Sequence, residues 1–143
     1  MGKGWSTHRR VLAVLEHVCL DHERTFFANV AAAIVYRRSI IAMGINTKKT
    51  DPLQKRYTHH HEAVYLHAEL AAIKRAKGLL DEDQLKSCVL YVCRLKATGP
   101  QNHTATWGLA KPCRACAAGI REFGIKKVVY TTDTLGEYDE YEP

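Results

Sequence analysis

No stretch of this sequence approaches the roughly 18 unbroken apolar residues that a membrane-spanning helix needs. Met1 is followed by Gly2, Lys3 and Gly4 and not by the apolar segment of a secretory leader. These absences predict a soluble cytoplasmic chain without a membrane partner. Internal repeats, low-complexity tracts and linkers are missing too. With 143 residues, 46% hydrophobic and 25% charged, residues 1–143 read as one compact domain. Five cysteines are an odd number, and two of them form a C-x-x-C pair. With no leader to export them, a metal or redox role is favoured over a disulfide framework.

Basic residues are absent after Lys127, whereas Asp133, Glu137, Asp139, Glu140 and Glu142 follow it. The net charge of +6 therefore divides into +11 over residues 1–127 and −5 over an acidic tail from about 133 to 143. A body this basic either attracts anions such as nucleotides or nucleic acid, or simply solvates its charge.

Val11, Val14, Leu15 and Val18 recur at helical spacing behind the possible caps Ser6 and Thr7, predicting an amphipathic helix to about Asp21. Ala31–Tyr36 and Ser39–Ile45 are rich in Val, Ile and Ala and flank Arg37 and Arg38, the pattern of an antiparallel hairpin. Residues 46–61 are polar and basic with Pro52, a loop by composition. Leu66, Leu70 and Ile73 mark a second helix stopped by Gly78, and Cys88–Leu95 a third strand. The next stretch, containing a short strand-like Thr104–Leu109, reads as a hairpin excursion. A last helix opens at Pro112 and ends at Gly124, before the strand Lys126–Thr131. This order predicts a mixed sheet with helices on its faces, a two- or three-layer α/β domain.

Two motifs carry chemistry: His67-Ala68-Glu69 and Pro112-Cys113-Arg114-Ala115-Cys116, each at the start of a predicted helix. Alone, the first fits a capping histidine and the second a redox pair. Together, His67, Cys113 and Cys116 form a three-donor zinc set whose fourth tetrahedral position stays open, the arrangement of a catalytic centre. Side chains lean toward helix N-termini, so first-turn residues of two facing helices can converge on one point. The positive helix ends also favour the thiolate forms. Glu69 would not ligate; it would carry protons beside the metal, the alternative being a solvated cap residue.

Softer candidates surround these. Asn46, at a strand end, could bond a sugar hydroxyl or cap the turn. The run His59, His60 and His61 could hold a second metal or be a solvated loop. Cys88 and Cys93 are five positions apart on one strand and point to opposite faces; Cys19 fits helix core. Lys48, Lys49, Lys55 and Arg56 follow Asn46 and are expected to read phosphate at the pocket rim.

The pair of motifs matches the H-x-E…P-C-x-x-C signature of zinc deaminases acting on nucleobases. From Ala31 to Thr131 the chain resembles the cytidine and deoxycytidylate deaminase superfamily. The resemblance runs through Gly44-Ile45-Asn46, the Tyr91-Val92 strand and Gly124-Ile125-Lys126-Lys127-Val128-Val129-Tyr130 as well as both motifs. Histidine as first ligand is similar to the deoxycytidylate, tRNA-adenosine and polynucleotide-cytidine branch, and the basic stretch Asn46–Tyr57 to phage-encoded deoxycytidylate deaminases. The resemblance implies a cytidine-deaminase-like three-layer α/β/α fold, one zinc per chain, a homo-oligomer, sugar contact by Asn46 and base contact by the main chain at Ala68. Two departures stand out: Leu95–Lys111 intervenes before the second motif, and no final helix or strand is visible after Thr132, predicting a smaller sheet.

The first functional reading is hydrolytic deamination of a pyrimidine nucleotide, dCMP to dUMP. A second keeps the chemistry but acts on single-stranded nucleic acid, either cytosine in DNA or adenosine in RNA. Tyr57 and Trp107, in loops near basic residues, are its stacking candidates. A third is a non-catalytic zinc-stabilised binding or redox module, from which Glu69 separates the enzymes.

Overall fold

The computed structural model describes residues 6–21, 28–58, 65–98 and 104–143. The His59–His61 run lies outside them. The order is α1 (Thr7–Asp21), β1 (Ala28–Tyr36), β2 (Ser39–Ile45), α2 (Pro52–Tyr57), α3 (Ala68–Lys77), α4 (Glu82–Leu85), β3 (Val89–Thr98), β4 (Thr104–Gly108), α5 (Arg114–Glu122), β5 (Lys127–Thr131) and β6 (Tyr138–Tyr141). Strand order across the mixed sheet is β2-β1-β3-β5-β6, with β4 also pairing β3. The early half of β3 runs parallel to β5, and its late half pairs antiparallel with β4. β3 is thus the spine, with β1 antiparallel along its other edge.

Alternation along β3 divides the interior into two cores and produces the three layers. Leu90 and Val92 face α3 and α5 with Leu70, Ile73 and Ile120, while Tyr91, Cys93 and Leu95 face α1. Cys88 and Cys93 do fall in opposite cores, and Cys19 is buried under α1. Each fully buried Leu or Ile contributes about 1.5–3 kcal/mol from removal of apolar surface from water. The buried stripe of α1 is Val11, Leu12, Leu15 and Cys19, rotated slightly from the Val11–Val14–Leu15–Val18 face read in the sequence.

The structure corrects three expectations. Residues 52–57 are helix, because Asp51 accepts a hydrogen bond from Leu53 N at 2.9 Å and Pro52 opens the first turn, where no N–H is needed. Trp107 and Tyr57 are buried side chains of β4 and α2 and offer no exposed stacking platform. The sheet does not shrink after Thr132: β6 adds a sixth strand on β5. Acidic residues of the tail lie against the basic body, with Glu140 3.4 Å from Lys127 and 3.3 Å from His8, and Asp133 3.1 Å from Lys96.

Gly44 lets α3 press onto the sheet. A Cβ there would stand 2.6 Å from both Ala68 O and Ala72 N, so any side chain would push the start of α3 away. The glycine on β2 thereby sets the depth of the His67 end of that helix. Among the described residues, no helix is long and apolar enough to cross a membrane.

Candidate metal centre and active site

His67 is the N-cap of α3 but makes no side-chain capping bond, which leaves its ring to the neighbouring helix. Cys113 is the N-cap of α5, its Sγ accepting from Cys116 N at 3.5 Å. The two helix starts meet because α5 lacks a side chain at Gly119, where a Cβ would fall 2.8 Å from Leu70 Cδ2. Cys116 Sγ and Cys113 Sγ lie 3.2 Å and 3.6 Å from His67 Nδ1, and the three donors all fall within 4.8 Å of one another. Tetrahedral zinc, with Zn–N near 2.05 Å and Zn–S near 2.3 Å, requires N···S separations of about 3.5 Å. Donor types and spacing therefore fit zinc.

Protons are shared within this cluster. Cys113 is pulled down to about 4, chiefly by the hydrogen bond from Cys116 and further by His67, so it holds the thiolate. Its bond to Cys113 and then its burial push the Cys116 thiol up. His67 is raised above its ordinary value, first by its bond to Cys113. A cation here would displace those protons, since zinc ligation requires thiolates and a neutral imidazole nitrogen. Glu69, in the first turn of α3, is only 6% exposed, and burial raises its pKa. A carboxyl group held this way exchanges a proton more readily near neutrality than a solvated glutamate does.

Beside the cluster is a cavity of about 460 Å³ lined by His67, Ala68, Glu69 and Cys113 together with Asn46, Tyr65, Arg94 and Lys111. That volume lies within the range of small-ligand sites. Asn46 lines the cavity and also caps the sheet end, its Oδ1 accepting from Val30 N at 3.0 Å. Lys48, Lys49 and Arg56 are not among the described lining residues. The α2 helix turns Arg56 onto α5, where it pairs with Glu122. It lines a separate concavity with Asp51 and Lys74. The cavity's described cations are Arg94 and Lys111.

The model of one protein family, "Cytidine and deoxycytidylate deaminase zinc-binding region", matches residues 6–132. The chain belongs to this deaminase family. Its fold is similar to that of a cytidine deaminase from Burkholderia pseudomallei, with a TM-score of 0.65, 18% identity, and 96% of this chain and 93% of that one covered. It is also similar to a dCMP deaminase from cyanophage S-TIM5, with a TM-score of 0.48, 20% identity, and 87% and 79% covered. A further similar structure is Acinetobacter baumannii RibD, with a TM-score of 0.45, 20% identity, and 87% and 27% covered. No curated protein matches the chain in sequence.

In this deaminase-family chain, sequence reasoning missed Gln54. It is fully buried; its Oε1 accepts from His67 N at 3.0 Å and its Nε2 lies 3.9 Å from Cys116 Sγ. One amide thus touches both the backbone of one donor and the sulfur of another. The signal was present in Asp51-Pro52, a cap and first-turn pair that marks residues 52–57 as helix and fixes which way Gln54 faces. Groups that hold metal ligands in place typically change affinity 10–100-fold when lost. Gln54→Leu is therefore expected to weaken zinc binding by about 10–100-fold in chelator competition. An affinity within twofold of wild type would show that the amide only fills space.

Proposed function

We propose that the protein hydrolytically deaminates a pyrimidine nucleotide, dCMP being the first choice, to give dUMP and ammonia. The observation that carries this reading is the convergence of His67, Cys113 and Cys116 beside buried Glu69, with His67, Cys113 and Glu69 lining one nucleotide-sized cavity. Zinc, when bound by these three donors, supplies a Lewis acid that brings the pKa of a coordinated water near neutrality. Glu69 takes the proton from the water that attacks ring carbon C4, delivers it to the ring nitrogen, and assists departure of ammonia. The backbone of Ala68, at the free-amide end of α3, orients the base, and Asn46 meets the sugar. Lys48 and Lys49, beyond the lining, raise the local concentration of anionic substrate. The five cysteines form no disulfide with one another, which suits a reducing cytoplasm.

A purified, zinc-loaded preparation assayed against dCMP, CMP, deoxycytidine, guanine, single-stranded DNA and tRNA tests the assignment. Fastest turnover of dCMP supports it. Preference for either polynucleotide moves the chain to the alternative substrate class, and inactivity on every substrate contradicts the deaminase reading. The proposal also includes a closed, symmetric homo-oligomer, favoured by Tyr65 and Leu109, apolar cavity residues that stay 42% and 46% exposed in one chain. Light scattering should give a dimer or larger; a fully active monomer at micromolar concentration refutes it.

A further inference from the structure

The cavity wall combines two chemistries: Glu69 with the donors His67 and Cys113, and the cations Arg94, late on β3, and Lys111, just before α5. We infer that Arg94, assisted by Lys111, binds the 5′-phosphate of a mononucleotide and makes this site selective for nucleotides over nucleosides. The inference rests on the deaminase reading, which places the base at Glu69.

Arg94 is built to face a ligand. Strand alternation puts Arg94 and Lys96 on the same face of β3. The nearby acid Asp133 feels the charge of Arg94 but makes its bonds elsewhere: it is 3.1 Å from Lys96 Nζ and accepts from Leu109 N at 3.0 Å. Arg94 Nε, although buried, has no hydrogen-bond partner among the described residues. A buried donor left this way is costly unless a bound group supplies the acceptor.

The position of Arg94 is also fixed from below. A Cβ on Gly108 would fall 3.1 Å and 3.2 Å from Arg94 Cδ and Cγ, so the missing side chain on β4 is what lets the arginine stem lie across that strand. Thr131 secures the backbone beneath: its Oγ1 accepts from Arg94 N at 3.1 Å and donates to Gly108 O at 2.8 Å. Strands β3, β4 and β5 are joined at this one point. Lys111 Nζ sits over the Tyr141 ring, 5.6 Å from its centroid, and makes no ion pair among the described residues.

A planar guanidinium suits two-point binding of a phosphate, and the Lys111 ammonium on the same cavity wall adds a point charge. A phosphate monoester on the 5′ carbon is the anion compatible with a pyrimidine ring at Glu69 in one cavity of about 460 Å³. This places anion recognition on the sheet and not on the basic segment 48–56.

Calorimetry of zinc-loaded protein with dUMP and with deoxyuridine tests the inference without requiring turnover. Wild type should bind dUMP at least about tenfold more tightly than deoxyuridine, the usual scale for a charge-assisted contact. Arg94→Gln should remove most of that preference, Arg94→Lys should retain part of it, and Lys111→Gln should reduce it a few-fold. Lys77→Gln, which removes one surface charge outside the cavity, is the control and should keep the wild-type ratio. If Arg94→Gln misfolds by circular dichroism, Arg94→Lys and Lys111→Gln decide the matter. Equal binding of dUMP and deoxyuridine by wild type, or wild-type ratios in the arginine and Lys111 variants, would overturn the inference. Active deamination alongside that result would leave the deaminase reading intact. Conversely, a lost phosphate preference in variants of a protein that deaminates nothing would keep the anion site and remove the reaction.

Discussion

Glu69→Gln is expected to keep the zinc and the fold and to lower turnover of the deaminated nucleotide by at least about 10²–10⁴-fold, the usual worth of general acid–base catalysis. The substitution preserves volume in a position only 6% exposed, so no cavity opens and no charge is left unpaired. It removes only the capacity to accept and release a proton. Glu69 is not one of the three clustered donors, so coordination should survive. Metal content, the thermal midpoint and kcat measured on one preparation check this. Turnover within a factor of ten of wild type would show that another group carries the proton.

The second large effect concerns the metal. Cys116→Ala or Cys113→Ala should weaken zinc binding by more than about 100-fold, since loss of a supporting contact alone costs 10–100-fold and these changes remove a ligand outright. Their structural costs differ. Cys116 is fully buried against Ile120 and Leu70, so its replacement also leaves a void and should lower stability by about 1–2 kcal/mol. Cys113 is an exposed helix cap whose Sγ accepts from Cys116 N, and its loss should cost about 1 kcal/mol at most. Zinc stoichiometry after dialysis checks the first expectation and urea unfolding the second. Retention of one zinc by both variants would mean that other donors hold the ion.

How far the sequence could be read depended on how local the determining contacts are. The hairpin, the α3 stop at Gly78 and the opening of α5 near Pro112 follow from residues a few positions apart, and all three are where the pattern put them. The donor set was legible because its spacing is fixed by two helix starts. The α2 helix was missed because its charged composition outweighed a two-residue cap signal at Asp51-Pro52. Strand β6 was missed because Tyr138-Asp-Glu-Tyr141 has an acidic middle and little apolar pattern, and its partners Lys127 and His8 are remote in sequence. Arg94 was invisible for a similar reason. Nothing in Cys93-Arg94-Leu95 shows that Gly108 clears the path of the side chain and that Asp133 is already engaged.

The same remoteness separates the two candidate places for reading substrate charge. Four cations within residues 48–56 are conspicuous in one dimension, yet Arg56 is turned to Glu122, and Asp51 within that segment takes Lys74 at 2.7 Å. Two cations 17 positions apart, Arg94 and Lys111, share the cavity instead.

Chromatographic detection of dUMP after incubating dCMP with purified protein, before zinc removal, after chelation and after zinc readdition, tests the central claim most directly. A metal-dependent deaminase built on His67, Cys113, Cys116 and Glu69 should form dUMP and an equal amount of ammonia, stop when zinc is withdrawn and resume when it returns. Product formation that continues unchanged without zinc, or no product from protein carrying one zinc per chain, would contradict it.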